Sequence, residues 1–199
     1  MAITNGYATL AEFKAYKKIT TDDLSRDAVI ESIIEGASRD FDNETGRTFY
    51  ARTETHYFDV PDGRELWLDD DLLTVTTLTN GDDSTLADSD GDYSLIPRNH
   101  APYYAVRLGL MSGLIWELDS EGNPEDVIEL AGTWGYSTTA PHNVRQAVLQ
   151  IAELDYDSRF GDGGTQGAVS ITAAGVVITP QSWPARAMRT AQSYKKIVG

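Results

Sequence analysis

The stretch Gly132-Thr133-Trp134-Gly135-Tyr136-Ser137, followed by Pro141-His142-Asn143-Val144-Arg145-Gln146-Ala147, is where the periodicity of this chain changes. Upstream, residues 127–134 alternate as a strand does; downstream, apolar residues recur at helical spacing. Pro141 stands where the first turn of a helix tolerates proline, and the helix is expected to run to about Phe160, where Gly161-Asp162-Gly163-Gly164 stops it. On a helical wheel Val144, Ala147, Val148, Ile151 and Leu154 form one apolar stripe, and Leu149, Tyr156 and Phe160 form a second beside it. Together they exceed the ~100° that a helix needs to cover one core. Such a helix either lies deep in its own domain or is shared with a neighbour, and the wheel does not choose.

The opposite change of period occurs at Glu44-Thr45-Gly46-Arg47-Thr48-Phe49-Tyr50. Before it, Ile30, Ile33, Ile34, Ala37 and Phe41 repeat at helical spacing, with Glu31, Glu35, Arg39 and Asp42 on the other side. Gly46 supplies the left-handed residue that closes a helix, so Thr45-Gly46-Arg47 reads first as a C-cap and second as a contact site. Further upstream, Thr9 and Glu12 stand in the capping-box relation and start a short helix to about Ile19, with residues 20–23 offering the next cap. Beyond Arg47 the strand candidates are residues 48–60, 65–69, 72–79, 103–109 and 127–134. Asp62-Gly63 and Asn80-Gly81 supply residues for tight hairpins. The polar stretch 81–92 reads as exposed loop, and residues 110–118 fit a strand or a helical turn equally. The expected fold is α+β: a helical bundle with a β-rich insertion and a C-terminal extension ending in a helix. Its segments are 1–47 (N-terminal helices), 48–140 (β-rich insertion), 141–162 (bundle helix) and 163–199 (C-terminal arm).

With 199 residues and 41% hydrophobic content, one elaborated domain is the default. There is no cysteine, hence no disulfide, thiol nucleophile or Cys-containing zinc site. The first residues lack signal-peptide character, and no apolar run reaches the ~18 residues of a membrane helix. The chain therefore reads as soluble and cytoplasmic, with no membrane partner. The net charge of −15 is unevenly spread: residues 163–199 carry Arg186, Arg189, Lys195, Lys196 and no acid, leaving −19 on the remainder. A body of that sign repels phosphate backbones, which argues against nucleic-acid binding.

Chemistry is sparse. His56, His100 and His142 have no metal-ligand spacing, and no Gly-x-Ser-x-Gly elbow, Walker loop or dinucleotide fingerprint occurs. The expectation is no catalytic residue, no cofactor and no metal. Asp69-Asp70-Asp71 and Asp88, Asp90, Asp92 are the candidate ligands for a hard cation. In Asp88-Ser89-Asp90-Gly91-Asp92, however, glycine falls at the fourth position and not at the EF-hand's sixth. Trp67, Trp116 and Trp134 are expected in the core. Trp183, beside Pro184 at the start of a last helix, is expected as an exposed anchor. In that helix Ala187, Ala191, Tyr194 and Val198 share one face, with Arg186, Arg189 and Lys196 opposite. A short hairpin, 168–172 with 176–179, precedes it.

In order along one chain, Tyr7-Ala8-Thr9-Leu10-Ala11-Glu12-Phe13, the two junctions, Tyr57-Phe58-Asp59, Leu66-Trp67-Leu68-Asp69 and the stretch from Leu72-Leu73-Thr74-Val75 to Thr79-Asn80-Gly81-Asp82 resemble the head-tail connector (adaptor) proteins of long-tailed phages. The resemblance thins out after Phe160. It implies a structural virion protein of the neck, assembled in the host cytoplasm, with no catalytic role. It further implies a homo-oligomeric ring, twelvefold in the particle, beneath the portal protein and above a stopper or tail-completion protein, with DNA passing through its channel without specific binding. On this reading the double stripe of the long helix favours a neighbour, so Leu149, Tyr156 and Phe160 are the expected subunit-interface residues. Trp183, Arg186, Met188, Arg189 and Tyr194 are the expected portal-docking residues. The rival readings are a calcium- or carbohydrate-binding β module of a phage tail, which needs exposed aromatics beside the aspartates, a hydrolase with a carboxylate pair, and a tail-terminator or neck protein at another joint.

Overall fold

The computed structural model describes residues 3–161, 168–172, 175–179 and 183–196. The fold is α+β: the described residues contain four α-helices, a six-stranded antiparallel sheet and a two-stranded hairpin. The chain divides into two units, residues 1–46 with 140–199, and residues 47–139. None of the described helices is long and apolar enough to cross a membrane.

In the helical unit, α1 (Leu10–Lys17) begins with the expected capping box, Thr9 accepting from the Glu12 amide and Glu12 from the Thr9 amide. It buries Phe13, and the buried Lys14 ammonium meets Asp27 at 2.6 Å. Helix α2 (Asp27–Thr45) buries Ile30, Ile33, Ile34, Ala37 and Phe41, as its period demands, and closes at Gly46 with φ +64°. Burying each of the isoleucines and the phenylalanine contributes roughly 1.5–3 kcal/mol. Helix α3 (His142–Phe160) packs on α1 and α2, and α4 (Ala185–Tyr194) packs on α2 and α3 through the buried Ala187 and Ala191. Strands β7 (Ala168–Thr172) and β8 (Gly175–Thr179) pair antiparallel, Ala168 opposite Thr179. Val198 lies outside the described residues.

In the other unit, strands β1 (Arg52–Phe58), β2 (Glu65–Thr79), β4 (Tyr93–Ile96), β5 (Tyr103–Leu108) and β6 (Ile128–Trp134) are ordered β1-β6-β2-β5-β4, with β3 (Thr85–Leu86) paired to β2. Along β6, Ile128, Leu130 and Trp134 point into a core shared with Leu66, Leu72, Leu78 and Leu108. Two expectations fail here. Residues 65–69 and 72–79 form one strand, not two, because β2 continues through Asp70 and Asp71 with shifts of register on either side of Leu72. Asp62-Gly63 does not close a tight hairpin, because β1 pairs with the distant β6 and not with β2.

Strand β2 is bent as well as long. At its start the Leu108 amide donates to the Arg64 carbonyl (3.0 Å), and just past its end the Asn80 side-chain amide donates to the Ile115 carbonyl (3.0 Å). The seven residues from Leu108 to Ile115 reach at most about 25 Å, whereas the sixteen from Arg64 to Asn80 would span about 53 Å in a straight strand. The register shifts around Leu72 supply the bend, as bulges do.

Candidate functional site

At the bend of β2 the two sequence junctions meet. The Arg47 guanidinium donates to both carboxylate oxygens of the buried Asp71, at 2.6 and 2.7 Å, and lies over the Tyr136 ring at 5.2 Å. The Gly135 amide donates to the Asp71 carbonyl (2.7 Å), and the Tyr136 amide to the Thr48 carbonyl (2.7 Å). Thr45-Gly46-Arg47 is therefore a helix stop followed by half of a buried ion pair. The other aspartates of the cluster are separately engaged: Asp70 with Arg52, and the exposed Asp69 with His56 Nδ1 at 2.9 Å. His56 in turn stacks on Trp134, centroids 3.8 Å apart, and Trp134 donates its indole N–H to the Glu54 carbonyl. Three adjacent carboxylates thus serve three different partners. In the second acidic cluster Asp88 and Asp90 are exposed in a 3-10 turn, while Asp92 accepts from the Ala87 amide.

The exposed face of this unit carries what the sequence reading placed in the core. Trp116 and Trp134 are buried as expected, but Trp67 is 62% exposed and stacks on Tyr104, itself 43% exposed, with centroids 5.6 Å apart. Alternation along β2 puts Leu66 and Leu68 inward, which turns Trp67 outward. Beside it is an open hollow lined by Pro61, Arg64, Trp67 and Arg107, the last paired with Glu65.

Residues 110–118 form neither strand nor helix. Leu110, Met111, Ile115 and Leu118 of this loop are exposed, yet its backbone is fixed. Trp116 is sunk in the core, and the buried Asn80 donates to the Ile115 carbonyl while its own carbonyl accepts from Glu117 N–H at 3.0 Å. Gly81 makes room for the loop, since a Cβ there would lie 2.1 Å from the Glu117 carbonyl oxygen. Asn80-Gly81 is thus the turn expected, into β3, and also a clamp, which spacing alone did not reveal.

In the helical unit the expected interface residues Leu149 and Tyr156 are buried within the chain. The Tyr156 ring packs against Phe13 (5.5 Å) and Phe160 (5.0 Å), and its hydroxyl accepts from Arg26 (2.9 Å). Phe160 is half-buried beneath the Arg26 guanidinium, 4.5 Å away. The second stripe of α3 is accounted for inside the subunit, so the wheel no longer argues for a neighbour. Nor is Trp183 an exposed anchor: it is half-buried and stacked on Phe41, centroids 6.3 Å apart and planes 5° apart. Tyr194 donates to Asn143 (3.0 Å), and the Lys196 amide donates to the Thr45 carbonyl (2.8 Å). Met188 is half-buried, whereas Arg186 and Arg189 are exposed.

One carboxylate in this unit is misplaced by electrostatics. Burial first, then the Asp40 carboxylate, push the Asp155 pKa above its usual value, with Arg159 opposing. The folded chain therefore holds this proton more tightly than the unfolded chain, so stability rises as pH falls through that window. Asp155→Asn is expected to raise Tm at pH 7, with the gain vanishing below the ordinary carboxylate range, where the wild type is protonated in both states. Thermal melts of both proteins at several pH values check this.

The sequence matches no protein-family profile and no curated protein. Solved structures do match. A chain in the neck of an empty gene transfer agent (GTA) particle, computed with C6 symmetry, superimposes with TM-score 0.65 at 18% identity, covering 100% of this chain and 94% of that one. A chain of the native GTA virion gives 0.62, and one in the native GTA neck, computed with C12 symmetry, gives 0.59, both with the same identity and coverage. At 18% identity the likeness is one of fold, and it extends over the whole chain.

Proposed function

We propose that this protein is a structural subunit of the neck of a tailed-phage or phage-like particle, where copies form a homo-oligomeric ring beneath the portal and join the DNA-filled head to the stopper or tail. The observation that carries this reading is the likeness over the full chain to neck chains of particles computed with C6 and C12 symmetry. The charge distribution agrees with it. A body of −19 in residues 1–162 around a channel resists adhesion of passing DNA, and only carboxylates within the ~8 Å Debye length of the duplex contribute. In this reading the C-terminal segment docks on the portal. Its Arg186 and Arg189 are exposed while Trp183 and Tyr194 fix α4 to the subunit, and Met188 is half-buried. Exposed ion pairs contribute only ~0–1 kcal/mol each, so the arginines set register more than affinity.

Deleting the gene from a particle-producing strain tests this. The expected result is DNA-filled heads and separate tails in electron micrographs, with joining restored by the intact gene. Joined, infectious particles made without the protein would overturn the reading.

A further inference from the structure

We infer that in the assembled ring the apolar loop 110–118 of one copy seats on the Trp67–Tyr104 surface of the next copy, head to tail. The inference rests on the ring reading above and deepens it. A closed ring of more than two subunits requires a heterologous contact, two different and mutually complementary patches on every copy. The unit formed by residues 47–139 carries two that fit.

The first is the loop, with Leu110, Met111, Ile115 and Leu118 at 75, 94, 62 and 46% exposure. Summed over the four residues, the exposed surface is on the order of 500 Å², comparable in size to the largest apolar patch of a typical monomer. A slack loop would lose much of that gain to ordering on association. This one is already fixed by buried Trp116, by the Asn80 side chain bonded to both Ile115 and Glu117, and by Ser112 Oγ, which donates to the Gly109 carbonyl at 2.9 Å. Part of the ordering is thus in place before binding, around Ser112 and Ile115 to Glu117, and preorganised apolar area converts best to affinity. None of the described residues covers them, although the loop leaves β5 where the Leu108 amide meets the Arg64 carbonyl, at the edge of the hollow.

The second patch is the stacked Trp67–Tyr104 pair with that hollow beside it, a flat aromatic surface of the kind enriched at interface centres. Charge selects between the possible pairings. Past its apolar tip the loop continues through Glu117, Asp119, Glu121, Glu125 and Asp126, with no cation between Leu108 and Val127. Loop against loop would set five carboxylates against five. Around Trp67, by contrast, Arg64 and Arg107 balance Asp62 and Glu65, so the loop meets a neutral rim and not a like-charged one. The loop's apolar area falls short of the ~800 Å² per partner of a standard interface. Single pairs are accordingly weak, and the contact accumulates only when a ring closes.

The absence of native cysteine makes a direct test available. Particles are assembled from a mixture of two single variants, Met111→Cys and Arg107→Cys, so that no chain carries both thiols, then treated with a short bis-maleimide linker and run on a denaturing gel. The expected result is a cross-linked dimer from the mixture, while particles made of either single variant alone give monomer. A ring of this chain seen in the neck by cryo-electron microscopy, but with no cross-linked dimer from the mixture, would sink the inference and leave the ring reading standing. Abundant dimer from Met111→Cys alone would also overturn it, in favour of loop against loop. Particles with no ring of this chain would overturn the proposed function, and the inference with it. As a second measurement, Met111→Asp/Ile115→Asp should lose incorporation into particles while keeping the wild-type Tm, since both residues face solvent in the subunit. Normal incorporation would refute the contact.

Discussion

Arg47→Ala is expected to destabilise the protein by about 3–5 kcal/mol, the usual consequence of removing one partner from a buried ion pair. Asp71 is only 2% exposed, and both its carboxylate oxygens accept from Arg47, so the truncated variant leaves a charge without water or a counter-ion. The damage reaches further because Arg47 also covers the Tyr136 ring, and Tyr136 packs on Phe49 with centroids 5.2 Å apart. Relative to the ~5–15 kcal/mol of a typical domain, such a loss leaves a marginal fold. Asp71→Asn should cost less, since it keeps the shape and the charge it leaves over, on Arg47, is 20% exposed and lies over the Tyr136 ring. Arg47→Met/Asp71→Leu should recover part of the loss, because an apolar replacement of the whole pair strands nothing. Urea unfolding of the three variants gives the order. If Arg47→Ala shifts stability by under about 1 kcal/mol, the pair is water-accessible in solution and the argument fails.

What the sequence disclosed was whatever chemistry within a few residues decides. Thr9 with Glu12, the stripe of Ile30, Ile34 and Phe41, and the stop at Gly46 are all settled within a few turns of helix, and all are found as read. Partners distant in sequence were hidden. Nothing local to Asp62-Gly63 says that β1 will pair with β6 some seventy residues on, and nothing local to Asp70 says that β2 will run through it. The same limit explains the tryptophans. Period 2 places Trp67 opposite Leu66 and Leu68, but which face is wet depends on what the rest of the chain covers. Trp183 was misread in the other direction, because its cover is Phe41, over a hundred residues away. For the loop 110–118, composition announced apolar residues, while the clamp that holds them outward is Asn80, visible only once the turn and the loop are side by side.

The long helix α3 gives the sharpest test of that lesson, in Leu149→Asp. Read from the wheel, Leu149 belongs to a stripe offered to a neighbour, and the substitution should weaken assembly while sparing the subunit. In the structure Leu149 is 4% exposed, on the same side of α3 as Tyr156, whose ring is enclosed by Phe13 and Phe160 and whose hydroxyl accepts from Arg26. A carboxylate at Leu149 would give up the leucine's apolar burial and have no water to replace it, which puts the change among the rare substitutions costing more than about 4 kcal/mol. The isolated subunit should therefore unfold or express as aggregate, with no assembly step involved. Tyr156→Phe, which keeps the ring and removes only the bond from Arg26, should cost about 1 kcal/mol. Met111→Asp, at an exposed position, should leave the melting temperature unchanged. Circular dichroism melts of the three purified variants separate these effects. A Leu149→Asp protein that melts like the wild type but fails to enter particles would return the second stripe of α3 to an intersubunit contact.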